Sequence, residues 1–198
     1  PLNINKKNLL LSILLAIFLI GNTRFYFMGM QHGAAGLVAA LVTVLIPIFV
    51  YIFMVFSKKS QPTLRDWFAL LFGIIGISFM MNFEQLSLSE WVRGGNLYFV
   101  LAAFFYALIT VFGAFMRGMH VMAFNFYICI FALTIDWFFS FDGSFLSEVN
   151  MDKVFWINIF ILSVLSTTIA ATLYYIGLKV LGSKKCSEFS LLTPFFAI

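Results

Sequence analysis

An all-α, polytopic bundle of transmembrane helices is what this sequence predicts, and three observations carry the prediction. The chain is 63% hydrophobic and 10% charged over 198 residues, against about 45–50% and about 25% in soluble domains. Its mean hydropathy is +1.03. Too few polar side chains exist to clothe a soluble globule, and apolar ones are too many for disorder. The apolar residues are also gathered in runs of about 20, the length that spans a hydrocarbon core as a helix. Finally, the breaks between runs carry Lys and Arg on alternate sides. A barrel is excluded because residues 9–20 are apolar all round, where a barrel strand alternates. An open strand would leave its backbone groups unsatisfied in lipid.

The first run, residues 8–29, carries Asn22, Thr23, Arg24 and Tyr26. Arg24 lies about 7.5 Å from the outer end at helical rise. It can snorkel to the interface or join a structural ion pair. It can also offer a planar, permanent charge to a carboxylate or phosphate. The second run, 37–56, sets Thr43, Pro47 and Tyr51 four apart on one face. Pro47 opens the carbonyl of Thr43, giving a hinge, a cavity lining or a packing device. The third, 67–83, has a small-residue face of Ala69, Gly73 and Gly76 for close packing. The fourth is 97–115. In the fifth, 121–141, Asn125, Cys129, Ala132 and Asp136 share one face through spacings of 4, 3 and 4. Asp136 matches Arg24 in depth, so the two either pair or flank an outward vestibule. The sixth, 154–181, bears Ser163, Ser166, Thr167 and Tyr174 on one stripe and Thr168, Thr172 and Tyr175 on the next. These hydroxyls either bond to their own backbone or wall a polar solute path. The seventh starts at Cys186 and contains Pro194. It is too short to span, and the chain starts at Pro1, so the expectation is a piece of a larger membrane protein.

Charge sets the orientation. Lys6, Lys7, Lys58, Lys59, Arg65, Arg117, Lys179, Lys184 and Lys185 fall on one side, and Arg93 and Lys153 on the other. The second side also holds Glu84, Glu90, Asp142, Glu148 and Asp152. The Lys6/Lys7 side is therefore expected to be cytoplasmic. The net charge of +4 sits in short loops and implies no nucleic-acid partner. Cys129 and Cys186 form no CxxC, and His32 and His120 lie in loops on opposite sides, so no metal site is expected. Signatures of metalloproteases, serine hydrolases and P-loop enzymes are absent.

A short internal repeat is present. Tyr26-Phe27-Met28-Gly29-Met30 with Pro47-Ile48-Phe49 returns as Tyr174-Tyr175-Ile176-Gly177-Leu178 with Pro194-Phe195-Phe196. The copies would cross the membrane in opposite senses, as inverted repeats of secondary transporters do. The first half also reads Gly29-Met30-Gln31-His32-Gly33-Ala34-Ala35, Leu45-Ile46-Pro47-Ile48-Phe49-Val50, a basic turn Leu64-Arg65-Asp66-Trp67, and Leu71-Phe72-Gly73-Ile74-Ile75-Gly76-Ile77. The second half opens with Gly95-Asn96-Leu97-Tyr98 and Leu101-Ala102-Ala103-Phe104-Phe105-Tyr106-Ala107, and runs through Leu173–Leu178 to Leu192-Thr193-Pro194-Phe195. In order and spacing these resemble the EamA-type transporters of the drug/metabolite transporter superfamily. The resemblance implies a ten-helix protein of two inverted five-helix repeats. Residues 1–83 would be the last three helices of the first repeat, and 95–198 most of the second. Ser60 stands where the family often has a glutamate.

The expected function is a secondary transporter of a small organic metabolite, amino-acid-like or amphipathic, working by alternating access. Substrate-binding candidates are Asn22, Arg24, Tyr26, Thr43, Tyr51, Asn125, Asp136, Thr167 and Tyr174, with Pro47 and Pro194 as hinges. Tyr26 and Tyr174, as repeat counterparts, would suit a gate. No cofactor is expected. The partners would be the bilayer of a bacterial inner membrane and the solute, with a coupling ion and a homodimer left open. The alternative is a non-transporting membrane protein, either an assembly scaffold or a lipid-handling enzyme.

Overall fold

The computed structural model describes residues 4–32, 35–57, 63–80, 95–140 and 152–192, and every regular element among them is helical. In order these are α1 (Lys6–His32), α2 (Ala35–Phe56), α3 (Leu64–Met80), α4 (Asn96–Gly113) and α5 (Val121–Ser140). α6 (Lys153–Ile161) widens into a π-helical stretch, Leu162–Ala170, and continues as α7 (Ala171–Phe189) and a 3-10 turn, Ser190–Leu192. Among the described residues four stretches are long and apolar enough to cross a membrane: Lys6–Gln31, Asn96–Gly113, Val121–Phe139 and Lys153–Phe189.

Several boundaries differ from the sequence reading. α1 runs on to His32, so this residue closes a helix and does not sit in a loop. The expected basic turn at Leu64–Trp67 is the first turn of α3, because the Thr63 carbonyl accepts the Trp67 N–H at 3.3 Å and starts the helical ladder. α7 hides a reversal. Gly182 has φ 80 and ψ 169, far from helical values. In an unbroken helix residues nine apart would stand about 13.5 Å apart. Yet a Cβ on Gly177 would lie 3.2 Å from the Cys186 Sγ. The chain therefore folds back at Gly182, and the sixth apolar run ends there, in line with the expected break between 181 and 186.

α4 is the centre of the bundle. Its Ala102, Ala103 and Ala107 are fully buried, and such small residues let helices approach closely where lipid supplies no hydrophobic drive. One apolar core joins α2 to α4 through Val42, Ile46, Val50, Phe99 and Ala103. Another joins α1, α4, α5 and α7 through Leu15, Ile109, Phe124, Ile128, Tyr175 and Leu178. Gly29 of α1 lies so close to α4 that a Cβ there would overlap the buried Phe99 ring. At the Lys6 end, the Asn8 side chain donates to the Arg117 carbonyl at 2.8 Å and ties α1 to the α4–α5 turn. α6 starts with Asp152 as its N-cap, the carboxylate accepting the Phe155 N–H at 2.8 Å. Phe126, Leu133, Phe138, Phe160, Leu165 and Ile169 are exposed, the surface that a bilayer covers.

Candidate functional site

Two charges inside the apolar bundle meet. Arg24 of α1 donates to Asp136 Oδ1 of α5 through Nε at 3.2 Å and a terminal nitrogen at 2.7 Å. An unpaired charge at this depth is costly, and pairing offsets part of that cost. Both side chains remain about half exposed, at 42% and 50%. They look into a groove of about 560 Å³ between α1 and α5, which also takes in Thr23 and Gln31. A smaller hollow of about 360 Å³ lies on the other flank of the pair.

Further along the bundle, a half-open hollow of about 550 Å³ is bounded by α1, α4, α5, the π stretch and α7, with Thr23, Ser166 and Thr167 on its exposed side. Thr23, Tyr106, Asn125, Cys129, Ser166, Thr167, Tyr174 and Tyr175 give it polar lining, and Leu19 and Ile109 give it apolar lining. Leu19 and Thr23 also border the α1–α5 groove, so groove and chamber adjoin. Asn125 is fixed in the wall: its amide donates to the Thr167 carbonyl at 2.9 Å and reaches the Thr172 Oγ1 at 3.5 Å. The π stretch shapes this wall. Thr167 and Thr168 hydroxyls donate to the Leu162 and Ser163 carbonyls at 3.4 and 3.0 Å, five residues back. Wider turns shift the stripes expected from a 3.6-residue period, and Ser166, Thr167, Tyr174 and Tyr175 all come to border one space. The Tyr174 hydroxyl meets Thr110 Oγ1 at 2.5 Å, while Thr110 itself donates to the Tyr106 carbonyl at 2.9 Å. Since a threonine has one hydroxyl hydrogen, Tyr174 is the donor to Thr110.

The nine candidate residues thus fall in separate places. Arg24 and Asp136 stand together in the groove, and Asn125, Thr167 and Tyr174 share the chamber. Asn22 instead donates to the Ala102 carbonyl at 2.8 Å and fastens α1 to α4. Tyr26 packs edge-on against Phe99, with 6.2 Å between centroids, in the α2–α4 core. It does not share the surroundings of Tyr174, whose ring lies 5.6 Å from that of Tyr106. On α2, Pro47 is fully buried. The Thr43 carbonyl that it opens lies 3.1 Å from the Ser190 Oγ, whose one hydrogen is drawn to the nearer Ser187 carbonyl at 2.6 Å. The Tyr51 hydroxyl donates to Glu188 at 2.5 Å. Pro194 lies outside the described residues. Sequence reasoning missed Thr110, Tyr106, Glu188 and Ser190. Glu188 carried a signal, a carboxylate at the third position of the run that starts at Cys186, whereas Thr110 and Tyr106 gain meaning only when α4 faces α7. Among the described residues no three His, Cys, Asp or Glu side chains stand close enough to hold a metal ion.

A helical bundle with an apolar outside, a half-exposed ion pair and a hydroxyl-lined hollow is a polytopic membrane protein with polar groups gathered between its helices. The sequence model of the EamA-like transporter family matches residues 1–82 and 93–198. The chain therefore belongs to the EamA-like transporter family, and is an integral membrane transport protein of the drug/metabolite transporter superfamily. No curated protein and no solved structure matches it.

Proposed function

We propose that this chain moves a small organic solute through the chamber between α1, α4, α5 and the π stretch, by alternating access. The observation that carries the reading is the chamber's chemistry: amide, hydroxyls and phenols gathered in a bundle whose outside is hydrocarbon. Among the described residues that line it there is no Lys, Arg, Asp, Glu or His. A solute of net charge would lose its hydration there without a countercharge. The cargo is thus one of zero net charge, a neutral amphipathic molecule or an amino-acid-like zwitterion. Asn125, Thr167 and Tyr174 supply its hydrogen bonds, and Tyr106 and Tyr175 supply ring faces. Arg24 and Asp136 stand at the chamber's approach. The Lys6/Lys7 end is cytoplasmic, and the membrane is a bacterial inner membrane. Two matched segments, 1–82 and 93–198, support the division into parts of two repeats. With a solute gradient or an ion gradient as driver, the cycle needs no nucleotide.

The test is uptake or export of a broad panel of radiolabelled metabolites by vesicles that carry the intact protein. Saturable flux of at least one uncharged or zwitterionic solute is expected, and Thr167→Val should cut it about tenfold, as loss of one hydrogen bond to cargo does. No solute-dependent flux and no solute-dependent thermal shift across the panel would contradict the reading.

A further inference from the structure

We propose that the stretch after Gly182 is a clasp that closes the Lys6/Lys7 end of the chamber, with the Tyr51–Glu188 bond as its catch and Gly182 as its hinge. The proposal rests on the transport reading and gives it a gate. Two polar contacts join α2 to this one short stretch. Tyr51 donates to Glu188 at 2.5 Å. The Lys184 ammonium sits 5.5 Å above the centre of the same Tyr51 ring, within reach of a cation–π attraction. Ser190 Oγ stands close by, 3.1 Å from Thr43 O, with its hydrogen on the nearer Ser187 carbonyl at 2.6 Å. The hinge has its own signature. At φ 80 and ψ 169 Gly182 occupies a region essentially closed to residues with a side chain. A Cβ there would meet nothing within 4 Å. Glycine is therefore required by the backbone and not by packing. A crevice of about 240 Å³ lies beside it, bordered by Met54, Ser57, Arg117 and Ser183, and leaves the stretch room to swing.

The chemistry of the catch suits a gate. When this end opens to water, the phenol, the carboxylate and the ammonium find water in exchange for one another, while Cys186 and Leu191 leave the two apolar cores they pack against. Movement would reach the chamber floor, because Cys186 packs in the same core as Tyr175, which lines the chamber. The other end is held in the same manner by Arg24 and Asp136 between α1 and α5. Each end thus has its own polar fastening, and the two share no residue.

Cys129, which lines the chamber, is the reporter. The intact protein, in a Cys186→Ala background, is placed in vesicles of known orientation. A membrane-impermeant maleimide is then applied to either face. Tyr51→Phe and Glu188→Gln should each raise Cys129 labelling from the Lys6/Lys7 face about tenfold, the weight of a charge-assisted hydrogen bond, and leave the opposite face unchanged. Arg24→Gln should do the reverse. A bifunctional thiol reagent that joins Tyr51→Cys to Glu188→Cys should abolish labelling from the Lys6/Lys7 face alone. Unchanged labelling in both catch variants, an equal rise from both faces, or no labelling in any variant overturns the clasp. A shift confined to one face without solute flux would leave the clasp standing and sink the transport reading.

Discussion

Single residues show which polar groups earn a place in lipid. Arg24 and Asp136 were legible because each is a lone charge within an apolar run at matching depth. The structure resolves the open choice between snorkelling and pairing in favour of a pair, still half exposed to a groove. Arg24→Asp and Asp136→Arg should each lower thermal stability by about 1–2 kcal/mol, and the double swap should recover most of that loss. Melting of detergent-purified variants reads the outcome, and a swap no better than the singles would mean that the pair contributes nothing. Asn22 and Tyr26 were chosen as neighbours of a solute, and the structure gives them protein partners. Depth and polarity mark a side chain that needs a partner, but do not say whether that partner is cargo or a carbonyl on the next helix. Asn22 found Ala102. Thr110 left no trace in sequence, since its bonds to Tyr106 and Tyr174 exist only once α4 and α7 are side by side.

Helices and their breaks follow from local chemistry more directly. Apolar runs predicted each described helix to within a few residues, because in lipid every backbone group must be satisfied within its own segment. The exceptions are informative. The π stretch cannot be read from a 3.6-residue pattern, as the sequence there obeys both registers until the Thr167 and Thr168 hydroxyls bond five residues back. Pro47 was read as opening the Thr43 carbonyl, and the Ser190 Oγ stands 3.1 Å from it while bonding its own helix at Ser187 O, 2.6 Å away. Gly29 makes a different demand on the same bundle. Gly29→Ala would push a methyl group into the fully buried Phe99 ring, so α1 and α4 must part, at about 1–3 kcal/mol. A melting temperature equal to that of the parent would contradict this close approach.

The whole molecule is organised around α4, which contributes to both apolar cores. Membrane class, helix order and family resemblance were readable from composition, run length and motif order, and the family match agrees. The chamber was not readable as a volume. Its walls come from α1, α4, α5, the π stretch and α7, and only their packing makes polar residues 23, 125, 167 and 174 face one space. Asn125, Thr167 and Tyr174 were selected for polarity on an apolar helix, and they do converge. Thr43 and Tyr51 were selected for the same reason and stand against the stretch after Gly182.

Water reaching that space is the central claim, and thiol reactivity tests it most directly. In a background with Cys129→Ser and Cys186→Ser, single cysteines replace Thr23, Ser166 and Thr167 on the chamber wall and Phe126, Leu133 and Leu165 on the outer surface. With a water-soluble maleimide on the intact protein in vesicles, the wall positions should react at least about tenfold faster than the outer ones, since a thiolate forms only where water is present. Wall positions as inert as Phe126→Cys would show a dry, closed interior, and the account would fail with it.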